Sequence, residues 1–279
     1  MNMNANQILV FFSVKYNGDL NRITRALKER ETISEEAAAK AEKEVLENSQ
    51  YLTLLDHNFP PKLKSVNNPP VVLYYEGNRN LFKTITTDNK VLISATGTIQ
   101  EPTKYGKQAM SKIMSGLSKD SIIIVGEQEG MNLEIVKEAL KAKLKIILVL
   151  NRGLKATITP GYEKLREHIL SNKGLIISQF PYQSEVEGIE HTNFPLQNQL
   201  VAVLGNTLWI TESYKYKAKT HTKDYQVNNT LAFALECGNT VACIPYPITA
   251  SDSNIMNNQY IMGGADLIET GKQLNALSK

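Results

Sequence analysis

From Tyr51 onward the chain alternates short β-branched apolar runs with stretches of helical period, and this alternation constrains the fold more than any other feature. The runs are Val71 to Tyr75, Val91 to Ala95, Ser121 to Val125, Lys145 to Leu150, Leu175 to Ser178, Thr207 to Thr211 and Thr240 to Ile244. Helical stretches lie between them near Lys104 to Leu117, Asn132 to Lys141, Pro160 to Leu170, Phe194 to Leu204 and Val227 to Cys237. The pattern predicts an α/β fold with a mainly parallel sheet and helices on both faces. Thr159-Pro160 predicts a cap and an N1 proline for the third of these helices, and Gly205 and Gly238 fall where helices should end.

Ahead of this region, Asn6 to Asn48 reads as helical. A turn is expected at Asn17-Gly18-Asp19, followed by Leu20, Ile23 and Leu27 on one helical face. Ser34 is placed to cap a helix that continues through Glu35, Glu36 and an alanine-rich stretch. The charges from Ala37 to Lys43 read as a solvated face. The pairs Pro60-Pro61 and Pro69-Pro70 frame an irregular connector, because a residue before proline is driven out of the helical region. The expected organisation is a small all-helical domain over 1–50 and a Rossmann-like domain over 51–279, whose lead-in segment is 51–80. No repeat or low-complexity tract is present.

Composition narrows the functions open to such a chain. Its 279 residues, 42% of them apolar, suffice for one large core and a small accessory domain. The net charge is only +3, so affinity for nucleic acid would have to come from a local patch. Only six of the 31 basic residues are arginine. Lysine holds phosphate as a point charge without arginine's fork, which suits backbone contact better than base reading. Cys237 and Cys243 match no zinc or redox spacing and are expected to be reduced core thiols. His57, His168, His191 and His221 form no metal-ligand pattern, so neither metal nor cofactor is expected. The apolar run Ile8 to Val14 lacks a basic leader and is far shorter than a membrane span. A cytoplasmic protein without membrane attachment is expected, as is the absence of a winged-helix-like domain after Lys279.

In an open parallel sheet ligands bind beyond the carboxyl ends of the strands, so the segments that follow each strand are the places for chemistry. After Val125 comes Gly126-Glu127-Gln128-Glu129-Gly130, a strand-to-helix turn of the kind that brings backbone N–H groups to an anion. Glu127 and Glu129 would repel such an anion; they also read as acids favouring the first turn of the next helix. After Ala95 comes Thr96-Gly97-Thr98, with Lys104 and Lys107 near a helix start as modest phosphate contacts. Phe194, Gln197, Asn198 and Gln199 open another helix; Phe194 can stack on a base or pack as a hydrophobic staple. Gln197 and Gln199 read as solvated helix residues. Tyr214, Lys215, Tyr216, Lys217 and Lys219 alternate, so an extended backbone would put lysines on one face and tyrosines on the other. Lysines beside aromatic platforms suit single-stranded nucleic acid, and a lysine-protected loop or edge strand is the structural alternative.

These segments resemble the DNA-processing protein A family (DprA, also called Smf) from about Leu55 through Thr270. The family's Y-P-x-x-L, D-P-P and L-Y-x-x-G-N are matched by Phe59-Pro60-Pro61-Lys62-Leu63, by Asn68-Pro69-Pro70 and by Leu73 to Asn78. Its S-G-x-A-R-G-I-D-x-x-A-H-x-x-A-L aligns without a gap to Val125 through Leu140. Phe194-Pro195 with Asn198 matches F-P-x-R-N-R, and Ala234-Leu235-Glu236 with Gly238 matches A-L-E-x-G. Asn258, Ile261 and Gly264-Ala265 match N-x-L-I-x-x-G-A. The chain departs from the pattern where the family carries charge. Gly97 stands at an arginine position, and Glu129, Asn132 and Val136 stand at the Arg, Asp and His positions of the long motif. Gln197 and Gln199 replace both arginines of R-N-R.

The resemblance implies an extended Rossmann-like fold in a homodimeric, non-enzymatic protein of recombination and DNA uptake that binds single-stranded DNA without sequence preference, protects it and loads the recombinase RecA. The resemblance and the strand-end reading together give the DNA-site candidates Gly97, Lys104, Lys107, Gly126, Gly130, Phe194, Gln197, Asn198 and Gln199, with Tyr214 to Lys219 as an added basic stretch. The alternative is a scaffold of the same fold that binds protein partners without tight DNA binding. A nucleotide-processing enzyme is the third reading. It lacks support from a Gly-Gly-x-Gly-Thr loop with a following glutamate, or from a nucleophile-base pair.

Overall fold

The structure is a computed structural model that describes residues 3–87, 90–185, 193–215, 225–247 and 255–279, with the side chains of 193 and 194 outside that description. Lys217, Lys219 and Tyr216 from the basic stretch therefore lie outside the described residues.

The helices at the start form where the sequence marks their caps. Asn4 opens α1 (Ala5–Lys15) with a reciprocal capping box to Gln7. Asn17 and Gly18 adopt left-handed φ values of 52° and 75° and turn the chain into α2 (Leu20–Lys28). Ser34 caps α3 (Glu35–Asn48) by accepting from Ala37 N at 3.1 Å. On α2 the inward face is Ile23 and Ala26, which pack with Phe12, whereas Leu27 is exposed contrary to expectation. Ala26 lies three residues beyond Ile23 on the same face, and its small side chain brings the helix close to α1.

The remaining elements are β1 (Gln50–Thr53), α4 (Pro61–Lys64), β2 (Val72–Gly77), α5 (Asn80–Thr84), β3 (Leu92–Thr96), α6 (Lys104–Ser115), β4 (Ile122–Gly126), α7 (Met131–Lys141) and β5 (Lys145–Val149). They continue with α8 (Glu163–Ser171), β6 (Leu175–Ser178), α9 (Asn193–Leu204), β7 (Thr207–Ile210), α10 (Tyr225–Glu236), β8 (Thr240–Cys243), α11 (Asn257–Met262), β9 (Asp266–Leu267) and α12 (Gly271–Leu277). All seven predicted strands are present within two residues at each end. β1 and β9 are additional short strands at the two edges of the sheet.

The nine strands form one sheet in the order β1-β2-β6-β5-β4-β3-β7-β8-β9. From β6 to β9 every ladder is parallel, and β2 runs antiparallel to both β1 and β6. The chain lays down β3, β4, β5 and β6 in one direction, then returns through α9 to place β7 and β8 on the other side of β3. The reversal makes the gap between β3 and β7 the topological switch point, where open α/β sheets hold their ligands.

Alternate residues of the central strands enter different cores, so each strand is apolar on consecutive residues. Ile123 and Val125 join Ile93, Ala95, Ile146 and Leu148 under α6 and α7. Ile122 and Ile124 join Leu92, Ile147 and Val149 under α9. Leu9, Val10 and Val45 from the first helices belong to the same cluster as Val72 and Tyr74 of β2, and the Tyr74 hydroxyl donates to Ser13 Oγ at 2.9 Å.

Two local expectations are corrected. The third core helix starts at Glu163 with no side-chain cap, so Thr159 and Pro160 lie in the loop before it. Thr159 N donates instead to Glu127 Oε1 at 3.1 Å, a tertiary contact that local cap rules do not anticipate. Of the two cysteines only Cys243 is in the core; Cys237 is exposed at the end of α10. Burial pushes the Cys243 thiol up to about 12.

The difference is directly measurable. In native protein at neutral pH, a maleimide is expected to modify Cys237 alone, with Cys243 reacting only after denaturation; mass spectrometry showing equal labelling would contradict the burial. Because the folded thiol of Cys243 titrates above its unfolded counterpart, its contribution to stability is intact below about pH 8.5. It is then lost as the pH climbs toward about 12.

Candidate nucleic-acid interface

The carboxyl ends of β3, β4 and β5 meet around the Gly126–Gly130 turn, and several of the backbone donors there are occupied by the protein itself. Glu127 N donates to Val149 O at 2.8 Å, and Met131 N, at the start of α7, donates to Thr98 O at 2.7 Å. Gly97 N donates to Asn132 Oδ1 at 3.0 Å. Gln128 N reaches the Tyr162 hydroxyl at 3.4 Å, and that hydroxyl donates to Gln128 O at 2.9 Å. Burial drives the Tyr162 phenol well above its ordinary pKa, which keeps it a neutral donor.

The side chains over this turn are uncharged amides. Gln197 is fully buried, donating from Nε2 to Val149 O at 2.7 Å and accepting from Gln128 Nε2 at 2.8 Å. Asn132 donates to Gly126 O at 3.1 Å. Asn198 Oδ1 lies 3.5 Å from Gln128 Nε2, while its buried Nδ2 has no hydrogen-bond partner among the described residues. Gln199 is buried as well. The expectation that Gln197 and Gln199 are solvated is therefore overturned: the second turn of α9, Gln197 to Gln199, is buried against the sheet. An amide fits there because it satisfies one donor and one acceptor without burying charge.

The two acids separate. Glu129 is exposed. Glu127 is buried and forms a bidentate ion pair with Arg166 of α8, Nε to Oε2 at 2.6 Å and Nη2 to Oε1 at 2.8 Å. Arg166 also donates to Leu154 O at 3.2 Å. Neither acid lies in the first turn of α7, which begins at Met131; the acid there is Glu134. The buried pair fixes the turn to α8 and exposes no charge to a ligand.

The glycines are there for close approach. A Cβ at Gly97 would lie 2.5 Å from Thr211 Oγ1 and 2.6 Å from Met131 Cβ. Gly130 has φ +69°, and a Cβ on it would sit 2.6 Å from Ile99 Cα. At Gly126 a Cβ would come within 3.1 Å of Gln197 Cδ. The backbones are packed against other protein groups.

Charge and exposed aromatic surface stand at the rim instead, beside the β3–β7 gap. Thr103 caps α6 and is held by Glu212, which directly follows β7 and accepts from Thr103 N at 3.0 Å and Thr103 Oγ1 at 2.7 Å. The Tyr246 hydroxyl donates to the same carboxylate, and burial with Glu212 nearby raises the Tyr246 pKa. This brace brings the loops after β3, β7 and β8 together. It leaves Lys104 exposed and Tyr105 40% exposed, the Tyr105 ring set edge-on to Tyr246 at 4.9 Å and its hydroxyl donating to Pro245 O at 2.8 Å. Lys107 is half-buried and pairs with Glu101 at 2.8 Å. After β7, Tyr214 is half-buried in an isolated bridge to Ile255, and Lys215 is exposed. Phe194 stands in the first turn of α9.

Sequence reasoning passed over Gln128, Tyr105, Arg166, Glu212 and Tyr246. Two of them had a local signal: Gln128 sits between the acids of the glycine turn, and Glu212 is an acid immediately after a strand. Arg166 and Tyr246 are joined to the site only by tertiary packing.

A doubly covered parallel sheet with a switch point bordered by neutral amides and a lysine-tyrosine rim defines a Rossmann-like protein with a ligand edge and no constellation of catalytic side chains among the described residues. The chain belongs to the family described as DNA recombination-mediator protein A, whose profile matches residues 50–278. It is 30% identical over 169 residues to protein Smf of Synechocystis sp., a match that takes in 60% of this chain and 40% of that protein's length. It is 25% identical over 225 residues to the DNA processing protein DprA of Streptococcus pneumoniae, covering 80% of this chain and 72% of the relative. The X-ray structure of the S. pneumoniae protein superposes with a TM-score of 0.74 at 19% identity, over 100% of this chain and 99% of that one. DNA processing protein A of Helicobacter pylori, described for its single-stranded DNA binding mode, superposes with a TM-score of 0.61 at 22% identity, over 81% and 94% of the two chains. Among the described residues no helix is long and apolar enough to cross a membrane.

Proposed function

We propose that this chain is a recombination mediator that binds single-stranded DNA without sequence preference along the rim of the β3–β7 gap, protects it and delivers it to the recombinase RecA as a homodimer. The observation that carries the reading is the grouping of exposed Lys104, Tyr105 and Lys215 on loops braced together by Glu212 at the switch point. Lysines along a backbone path and an aromatic face for a base are what sequence-tolerant single-strand binders use, each stack contributing about 1–3 kcal/mol. In this reading Lys217 and Lys219 extend the path, Gly97, Gly126, Gly130, Gln197, Asn198 and Gln199 shape its floor, and Phe194 and Tyr216 offer further stacking faces. Lys107, already paired with Glu101, contributes less than Lys104. The small domain over 1–50 and the Rossmann-like domain over 51–279 remain the proposed division, with DNA carried by the second.

The test is fluorescence anisotropy of labelled oligo-dT and of duplex at several salt concentrations. Tighter binding to the single strand is expected, with the logarithm of affinity falling by about 0.7 per phosphate neutralised as log salt rises. Tyr105→Ala is expected to weaken binding by about 1–3 kcal/mol, and Lys104→Glu with Lys215→Glu to flatten the salt dependence. Unchanged affinity in both variants would remove the rim.

A second reading, a scaffold for protein partners, is favoured by the occupied backbone donors and buried amides of the glycine turn. Absence of DNA binding at low salt, together with tight association with the recombinase alone, would select it.

A further inference from the structure

The profile of the family begins at residue 50, so α1, α2 and α3 lie outside the matched segment. Three of the chain's six arginines, Arg22, Arg25 and Arg30, are concentrated there within nine residues. Ile23 and Ala26 hold α2 against Phe12 of α1, which turns the opposite side of the helix to solvent. Arg22, Arg25 and Lys28 are all exposed on that side, and Arg30 follows exposed in the left-handed conformation at φ 52°. Of the other arginines, Arg166 is buried under Glu127, and Arg152 is folded onto Asn151 Oδ1 and Thr157 O.

Beside this face runs an open groove of about 410 Å³, lined by Leu20, Asn21, Thr24, Arg25, Lys28 and Glu29 of α2 and closed by Asn68. Asn68 directly precedes Pro69-Pro70, so its backbone is held extended by the proline that follows. The groove thus presents two cations, the carboxylate of Glu29 and the polar side chains of Asn21, Thr24 and Asn68. Arg22 sits at its margin with its guanidinium over the Tyr16 ring, 4.7 Å from the centroid. Arg25 pairs with Glu29 at 2.9 Å, and both partners are largely exposed. An exposed i,i+4 pair contributes little, so the guanidinium can exchange Glu29 for a stronger acceptor.

We propose that the exposed face of α2 and the groove beside it bind the phosphodiester backbone of nucleic acid as a second contact surface, separate from the strand-end rim. Three cations spaced three residues apart advance about 4.5 Å per step along the helix axis, a row that can follow a chain of phosphates. Arginine forks suit phosphate oxygens, the neutral polar groups supply further hydrogen bonds, and no exposed aromatic ring lines the groove to grip a base. The surface is therefore indifferent to sequence and takes duplex as well as single strand, in contrast to the rim.

The test uses the full chain carrying Arg22→Gln, Arg25→Gln and Lys28→Gln, with circular dichroism to verify folding. The expected result is weaker binding of both duplex and long single strands, and a salt dependence for duplex reduced by about 0.9 for each phosphate that the three side chains no longer neutralise. A second variant, Arg22→Lys with Arg25→Lys and Lys28→Arg, keeps the charges and is expected to restore most of the affinity, which a folding defect would not allow. Unchanged duplex affinity and salt slope in the glutamine variant would overturn the proposal. Loss of retention of the glutamine variant on anionic lipid vesicles, with DNA affinity unchanged, would do the same and assign the face to a lipid surface. Failure here is distinguishable from failure of the rim, because variants at Lys104 and Lys215 leave α2 intact and act on single-strand preference.

Discussion

Replacing Arg166 with methionine is expected to destabilise the fold by about 3–5 kcal/mol, because it leaves the carboxylate of Glu127 buried without its partner. The pair is bidentate, and neither side chain has appreciable access to water. Glu127 would retain only the N–H of Thr159 as a neutral donor, at 3.1 Å. Changing both residues, Arg166→Met with Glu127→Leu, is expected to recover most of the loss, since a buried pair and a well-packed apolar replacement are often of similar stability. Urea denaturation of the three proteins measures both effects. A single mutant that unfolds at the parent's midpoint would mean that Glu127 finds water or another partner, and the account of a sealed turn would be wrong.

Restoring charge to the amide cluster is expected to damage the protein before it improves binding. Gln197→Arg places a guanidinium where a fully buried amide now bridges Gln128 and the carbonyl of Val149. No acid other than the already paired Glu127 lies in that network, so the new cation carries a desolvation penalty of several kcal/mol. The expected outcome is a large loss of stability without a gain in affinity for oligo-dT. A folded variant that binds more tightly would show that the cluster opens toward the DNA path.

The sheet was legible because its central strands are buried on both faces and so carry long apolar signals, as in Ile122 to Val125. Caps were legible where they act within three or four residues, as at Ser34 with Ala37 N. β1 and β9 escaped notice for the opposite reason. They are edge strands of four and two residues, and β9 is exposed at both positions, so burial leaves no pattern in it. The strand ends were singled out as the place for a site, but the packing around them was only half readable. Glu127 and Arg166 are 39 residues apart, and nothing near either residue announces the other. Gln197 is polar by type and buried by context, and only the register of α9 against β5 decides which property prevails.

Gly97 limits how this protein can change. Its missing side chain is matched by Thr211 and Met131 on one side and by the Asn132 bond to its N–H on the other. A side chain at that position would collide with both neighbours at once, so no single substitution there is accommodated without movement of Thr211 or Met131. Coordinated changes at all three positions would be needed, each unfavourable without the others. The rim imposes no such coupling, since exposed residues such as Lys104 and Lys215 can be exchanged singly.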